Sequence, residues 1–144
     1  MIRDASVEDA QAIQRIVFES LRYEDCKVDV VRRRIQELTA TDRCISLVWE
    51  DDDTGEVRGF IHALRFDTLH SEGGWDVVTL AVAPQYQGHG IGRSLLERFE
   101  DVARTRGGRF VRLNSNVTRS DAHQFYEHVG YVCDKVQKHF VRTL

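Results

Sequence analysis

Proline is almost missing from this chain of 144 residues: there is one, Pro84. Proline-rich linkers are thereby excluded, and no internal repeat or composition break divides the chain. Cysteine is scarce and odd in number. Cys26, Cys44 and Cys133 lie far apart, with neither a zinc-ligand spacing nor a disulfide framework. A reducing, cytoplasmic home is the expectation. An excess of positive charge is lacking too. The formal net charge is −3, and no basic stripe interleaves with aromatics, so a nucleic-acid partner is not expected. No apolar run approaches a membrane span, and Met1-Ile2-Arg3-Asp4 does not read as a leader.

What is present is ordinary for one soluble domain. Apolar residues make up 42% of the chain and charged residues 30%, enough for a sizeable core under a solvated surface. Met1–Arg3 reads as a short strand. Ser6 reads as a helix cap, with Glu8 and Asp9 in the first turn, where the helix dipole favours acids. Ala10, Ile13, Val17 and Leu21 mark one helical face, and Val28, Val31, Ile35 and Leu38 a second. Strands are expected at 44–49, 57–66 and 75–83. The last is nearly continuous in apolar residues and hence central. The acidic stretch 50–56 is a hairpin loop, since it lacks the twelve-residue calcium pattern. The stretch 67–74 reads as another loop.

A helix over 91–104 follows, buried through Ile91, Leu95, Phe99 and Val102 and stopped at Gly107-Gly108. A strand at 110–113, a polar loop, a short helix at 122–129 and two antiparallel strands at 131–133 and 140–144 complete the chain. The fold class is α/β: a single mixed-sheet domain over 1–144, in the order β-α-α-β-β-β-α-β-α-β-β.

The most telling segment is Gln87-Gly88-His89-Gly90-Ile91-Gly92, between a strand and a helix. A glycine turn at a helix start lets the backbone approach an anion and offers it free N–H groups. Phosphate or pyrophosphate is the natural ligand. A Rossmann site is excluded by the glycine spacing, and by Arg106 and Arg109 where the acidic residue belongs. A phosphate loop of the Gly-Lys-Ser/Thr kind is absent.

Leu80-Ala81-Val82-Ala83-Pro84-Gln85-Tyr86-Gln87-Gly88-His89-Gly90-Ile91-Gly92 resembles the acetyl-coenzyme A motif of the GNAT family of N-acetyltransferases. Gln87, Gly90 and Gly92 match its Arg/Gln-x-x-Gly-x-Gly/Ala pattern. Downstream, Asn114-x-Asn116, Arg119, Ala122-His123 and Phe125 through Tyr131 resemble the same family, as does Ile2 through Ile13. The resemblance spans nearly the whole chain. It implies a GNAT-like sheet with central strands splayed around acetyl-coenzyme A. The pyrophosphate would meet Gln87, Gly88, His89, Gly90, Ile91, Gly92 and Arg93. The pantetheine arm would lie along the main chain of Leu80, Ala81 and Val82.

Asn114 and Asn116 would either bond the cofactor or cap their loop. Arg119 would meet a coenzyme phosphate or sit in solvent, and His123 would sit near the cofactor or be structural.

The activity so implied is transfer of an acetyl group to a primary amine by direct attack on the thioester. Such a transfer needs a neutral amine, a stabilised carbonyl oxygen and a donor for the leaving thiolate. Tyr126 matches the family's tyrosine. A phenol is protonated at neutral pH and can donate to the coenzyme sulfur; packing alone is the other reading. Asp76, near the start of the central strand, is the side-chain base candidate. Glu72, a water relay or an amine that arrives neutral are the alternatives. Tyr23, Glu24, Asp25, Asp67, Glu72 and Asp76 suggest an acidic mouth suited to a cationic small molecule or a protein amine. Phe140 through Leu144 alternates in polarity and, with the family's habit of using its last strands, implies a homodimer. A coenzyme A-binding regulatory or sensor protein with little turnover is the second reading of the same fold.

Overall fold

The computed structural model describes residues 1–144, as two compact units, Met1–Asn114 and Ser115–Leu144. The first holds a five-stranded sheet in sequence order, β1 (Ile2–Asp4), β2 (Cys44–Glu50), β3 (Val57–Thr68), β4 (Ser71–Val82) and β5 (Val111–Leu113). The first four strands run antiparallel and β5 runs parallel to β4. The expected central strand is interior, between β3 and β5.

Two helices, α1 (Ala10–Ile16) and α2 (Val28–Thr39), cover one face of the sheet. Ala10, Ile13, Ile16 and Ile35 form one buried cluster with Val48, Phe60 and Ala81. The period of 3.6 on each helix meets the period of 2 on each strand in this cluster. The other face carries α3 (Ile91–Thr105), which buries Ile91, Leu95, Leu96, Phe99 and Ala103. A Cβ on Gly59 of β3 would come 3.0 Å from Ile91 Cγ2 and 3.2 Å from Leu95 Cδ1. The missing side chain is what lets the start of α3 sit this close to the sheet.

Ser6 does more than start a helix. Its N–H donates to Asp9 Oδ2 at 2.8 Å. The same buried carboxylate takes two hydrogen bonds from Arg3, Nη2 to Oδ1 at 2.8 Å and Nη1 to Oδ2 at 2.9 Å. Burial opposes the charge on Asp9, but the bonds from Arg3 and Ser6 outweigh it and hold the carboxyl below its ordinary range. Arg3 is also bound by Glu50, its Nε donating to Oε2 at 2.7 Å.

Three expectations are corrected. The loop at 67–74 shrinks to a turn, because β3 runs to Thr68 and β4 begins at Ser71. Gly74 lies inside β4 with the Phe110 ring where its Cβ would be, 2.6 Å away. The glycine pair reads as a breaker in sequence but serves close packing here. Second, α1 does not run to Leu21 as an α-helix. It widens into a π-helical turn at Val17–Leu21 and ends at Arg22, whose φ is +61°.

Third, the strands at 131–133 and 140–144 do not form. The second unit contains only α4 (Ser120–His128), which closes with Tyr131 N–H on Tyr126 O at 2.9 Å. No strand of that unit offers these residues a ladder, and an isolated hairpin is marginal in water. Val132, Phe140, Val141 and Leu144 stay exposed.

Candidate active site

The turn before α3 is made by glycine. Gly88 has φ +80° and Gly90 φ +83°, a region other residues enter only with strain. Open space surrounds both Cβ positions, so conformation and not crowding demands glycine there. The first bond of α3 is Ser94 N–H to Gly90 O at 3.0 Å. The N–H groups from Gly88 to Arg93 therefore have no helical acceptor, and the helix dipole adds partial positive charge at the same place. His89 turns its ring back on the turn, its Nδ1 lying 3.0 Å from Gln87 O and 3.2 Å from Tyr86 O. Arg93 is paired with Glu97, Nε to Oε1 at 2.8 Å, on the exposed side of the first helical turn.

β4 leads into this turn with one edge open. β5 pairs with it only at Trp75–Val77, opposite Val111–Leu113. From Val78 to Val82 that edge has no strand partner. The register with β3 slips between His62 and Ala63, opposite Thr79 and Val77, so Val78 bulges out of the ladder and is 52% exposed. Ala83 N–H bonds Arg58 O at 2.8 Å. By the alternation of an antiparallel ladder, Ala81 then faces β3, while Leu80 and Val82 turn their N–H and C=O groups to the open edge. Val82 O already accepts Ser20 Oγ at 2.7 Å and Gln87 Nε2 at 3.0 Å. Gln87 thus uses its side chain to tie the turn to the strand.

A network not legible in the sequence holds the turn from behind. Tyr86 Oη donates to Glu56 Oε2 at 2.7 Å. The Arg58 guanidinium lies 4.2 Å from the Tyr86 ring centroid and pairs with Asp51 at 2.7 Å and Glu56 at 3.2 Å. The bond from Tyr86, with Arg58 beside it, lowers the Glu56 pKa, and the same bond raises that of Tyr86. Nothing in the spacing of residues 51, 56, 58 and 86 announces this group; an acidic hairpin loop followed by Arg58 is the only trace.

Asp76 lies one residue before β4 and β5 part. Its Oδ1 is 3.2 Å from Arg112 Nε, the residue opposite it on β5. The contact is an ion pair whose geometry falls short of a hydrogen bond, so that buried oxygen has no hydrogen-bond partner. Arg112 also lies 4.4 Å from the Phe66 ring centroid. The other acids expected at the mouth divide in two. Asp67 pairs with Arg43 and Arg65, and Glu72 with Arg109. Tyr23, Glu24 and Asp25 are exposed beyond the π turn and carry no ion pair. The negative field at the start of β4 is largely cancelled by arginine.

Asn114 ends the first unit and is exposed. In the second unit, Asn116 Oδ1 accepts Thr118 N–H at 3.0 Å and Thr118 Oγ1 at 2.9 Å, a local cap. His123 Nε2 bonds Asn116 O at 2.9 Å. Arg119 is exposed and its N–H bonds Asn116 O. Tyr126 packs edge-on against Phe125 and Tyr131, at 5.2 and 6.0 Å between centroids. Burial raises its pKa and the charge of Arg119 partly offsets this, so the phenol keeps its proton at neutral pH.

A strand with an open edge, running into a glycine turn and a helix start, defines a fold class that known proteins share. The profile of the Acetyltransferase (GNAT) family matches residues 10–131, and the chain belongs to that family. An aminoalkylphosphonate N-acetyltransferase from Salmonella typhimurium is 37% identical over 87 residues, which is 60% of this chain and 54% of that protein. A mycothiol acetyltransferase from Beutenbergia cavernae is 34% identical over 86 residues, 60% of this chain and 28% of that one. The matched stretch spans about half of the first relative and about a quarter of the second. An aminoglycoside acetyltransferase from an uncultured soil metagenomic sample, solved with sisomicin, shares the fold. Its TM-score is 0.85 at 18% identity, covering 100% of this chain and 95% of that one. No helix is long and apolar enough to cross a membrane.

Proposed function

We propose that the protein is an acetyl-coenzyme A-dependent N-acetyltransferase that acts on a small primary amine. The observation that carries this reading is the pairing of open N–H groups over Gly88–Arg93 with the unpaired edge of β4 over Val78–Val82. Coenzyme A has a pyrophosphate for the first and an amide-bearing arm for the second. The N–H groups of the turn and the dipole of α3 hold the pyrophosphate. The outward main-chain groups of Leu80 bond the arm like an added strand, while Val82 contributes its N–H and its side chain. Asn114, Asn116, Arg119 and His123 remain candidates for cofactor contact on the family resemblance alone.

Acetyl transfer then proceeds by direct attack. The amine nitrogen bonds the thioester carbonyl carbon and gives up one N–H proton, the C–S bond breaks with its electron pair on sulfur, Tyr126 gives its proton to that sulfur, and solvent restores the phenol. Catalysis needs no covalent enzyme intermediate, because the thioester is already activated. Asp76 holds Arg112 across β4 and β5 and is the carboxylate nearest the splay by register.

The acceptor follows from charge. With Asp67, Glu72 and Asp76 paired to arginines, an amine that also carries an acidic group meets no net repulsion there. The kinship with an aminoalkylphosphonate N-acetyltransferase supports that class. A purely cationic amine would rely on Glu24 and Asp25 alone. Release of coenzyme A thiol across a panel of aminoalkylphosphonates, amino acids, polyamines and peptide amines tests both classes. Calorimetry with coenzyme A alone tests the site. Binding without turnover on any amine would favour the regulatory reading.

We propose further that the protein acts in the cytoplasm as a homodimer in which a second copy covers Phe140, Val141 and Leu144, exposed in the single chain. Light scattering over a concentration series measures this. A monomer mass at every concentration removes the dimer.

A further inference from the structure

Amine acetylation needs somewhere for the ammonium proton to go, and β4 offers no free carboxylate or imidazole between Val77 and Ala83. The adjacent strand does. His62 lies on β3 opposite Thr79, where the ladder slips and Val78 bulges out. It shares its sheet face with Phe60 and Leu64, and Leu64 faces Asp76 across the ladder. Phe60 belongs to the apolar cluster under α1 and α2, so His62 stands at the edge of that cover, beside the bulge.

The ring is oriented. His62 Nδ1 lies 2.7 Å from Ser46 Oγ, its partner in the β2–β3 register, and 3.7 Å from Cys44 Sγ. Those contacts occupy one nitrogen. Nε2 bonds no protein group and is not sealed from solvent, in contrast to the buried, partnerless Trp75 Nε1. A histidine fixed at Nδ1 with Nε2 free is the arrangement a base requires.

We propose that His62 is the general base of the acetyl transfer, its Nε2 taking the proton of the attacking amine directly or through one water. The proposal rests on the N-acetyltransferase reading above. As the C–N bond forms, the amine N–H proton passes to Nε2 and the imidazole becomes imidazolium. The C–S pair leaves with sulfur, and the imidazolium later returns its proton to solvent. Ser46 is a positioning residue whose Oγ accepts a hydrogen bond from Nδ1–H and so keeps Nε2 as the lone-pair nitrogen. The surroundings agree. Burial, with the charge of Arg34 on α2, lowers the His62 pKa, so the ring is neutral at pH 7. The other groups near it by register are Cys44 on β2, uncharged because burial raises its pKa, and the Asp76–Arg112 pair on β4 and β5.

Two measurements test this. Long-range ¹H–¹⁵N correlation on the free protein reads the His62 tautomer and needs no acceptor. Nδ1–H with Nε2 bare is expected; a proton held on Nε2 at pH 7 overturns the proposal. For turnover, the wild-type protein is first shown to bind coenzyme A and to acetylate an amine of the panel, which settles the parent reading separately. His62→Gln is then compared with it at saturating substrates, with coenzyme A affinity and thermal midpoint measured alongside.

A fall in kcat of about 10²-fold or more is expected, with affinity kept and the acid limb of the kcat profile, set below pH 6.5, abolished. Ser46→Ala should lose several-fold in kcat and shift that limb. If His62→Gln unfolds, Ser46→Ala and the tautomer carry the test. Wild-type kcat in His62→Gln overturns the proposal, and so does an acid limb that vanishes in Asp76→Asn but survives in His62→Gln.

Discussion

Tyr86 and Glu56 are joined by a hydrogen bond of 2.7 Å that links the last residue before the glycine turn to the hairpin loop between β2 and β3. Arg58 stacks on the same tyrosine. The turn is therefore tied to the hairpin loop by a hydroxyl, a carboxylate and a guanidinium, each engaged with another protein group. Tyr86→Phe keeps the ring under Arg58 and removes only the hydroxyl. We expect the coenzyme A Kd to rise about three- to tenfold, since a hydrogen bond to a charged group contributes about 1.5 kcal/mol or more and only part of that loss reaches the turn. The kcat at saturation should not move. Calorimetry and steady-state kinetics on one preparation check it, and an unchanged Kd would show that the turn keeps its shape unaided.

Gly90 caps α3 with a left-handed backbone that other residues adopt at a cost of about 1 kcal/mol. Gly90→Glu adds that strain and places a carboxylate among the N–H groups proposed to hold the pyrophosphate. Coenzyme A affinity should drop by about 10²-fold or more while the fold survives, because the position is surrounded by open space. Calorimetry on protein with a native circular dichroism spectrum is the measurement, and undiminished affinity would move the pyrophosphate elsewhere.

Tyr126→Phe should preserve the aromatic packing with Phe125 and Tyr131 and leave coenzyme A affinity intact. Its kcat should fall by about 10²-fold under conditions where chemistry limits turnover. Wild-type kcat in this variant returns Tyr126 to a packing role.

Asp9 ties β1 to the entrance of α1 through Arg3. Removing one partner of a buried pair costs about 3 kcal/mol, so Asp9→Asn should destabilise the protein by that order at pH 7. The native pKa of Asp9 lies below its ordinary 3.8. Its contribution is complete above the unfolded pKa and is lost as pH falls from about 3.8 through the native value. Urea midpoints of wild type and variant should therefore converge in acid. A constant gap down to pH 2 would assign the loss to packing instead of charge.

Local pattern made the helices and the interior strand legible. Ile91, Leu95 and Phe99 announce α3, and the run around Val77–Ala83 announces β4, because burial on one stripe or on both faces leaves a periodic trace. The glycines at 88 and 90 likewise reveal the turn, since the needed conformation selects the residue. Long-range polar partners leave no such trace. Arg3 with Asp9, Arg58 with Tyr86 and Asp76 with Arg112 are set by register and by loop closure, and the spacing of charged residues does not encode either. The π turn at Val17–Leu21 was hidden for another reason: Val17 and Leu21 fit an α period as well. The tail beyond α4 carries strand-like alternation but no ladder in its own unit, so propensity alone gave the wrong answer there.

The open edge of β4 is bounded at both ends. At Val77 it is closed by Leu113, and at Val82 its outward carbonyl is already taken by Ser20 and Gln87. An unpaired strand edge is ordinarily a template on which another chain can zip without limit. Here it is a slot about five residues long, roughly 17 Å at the rise of an antiparallel strand. A slot with two stops measures its guest. It suits a short linear molecule with a few amides, and it gives a growing β-ladder nowhere to continue.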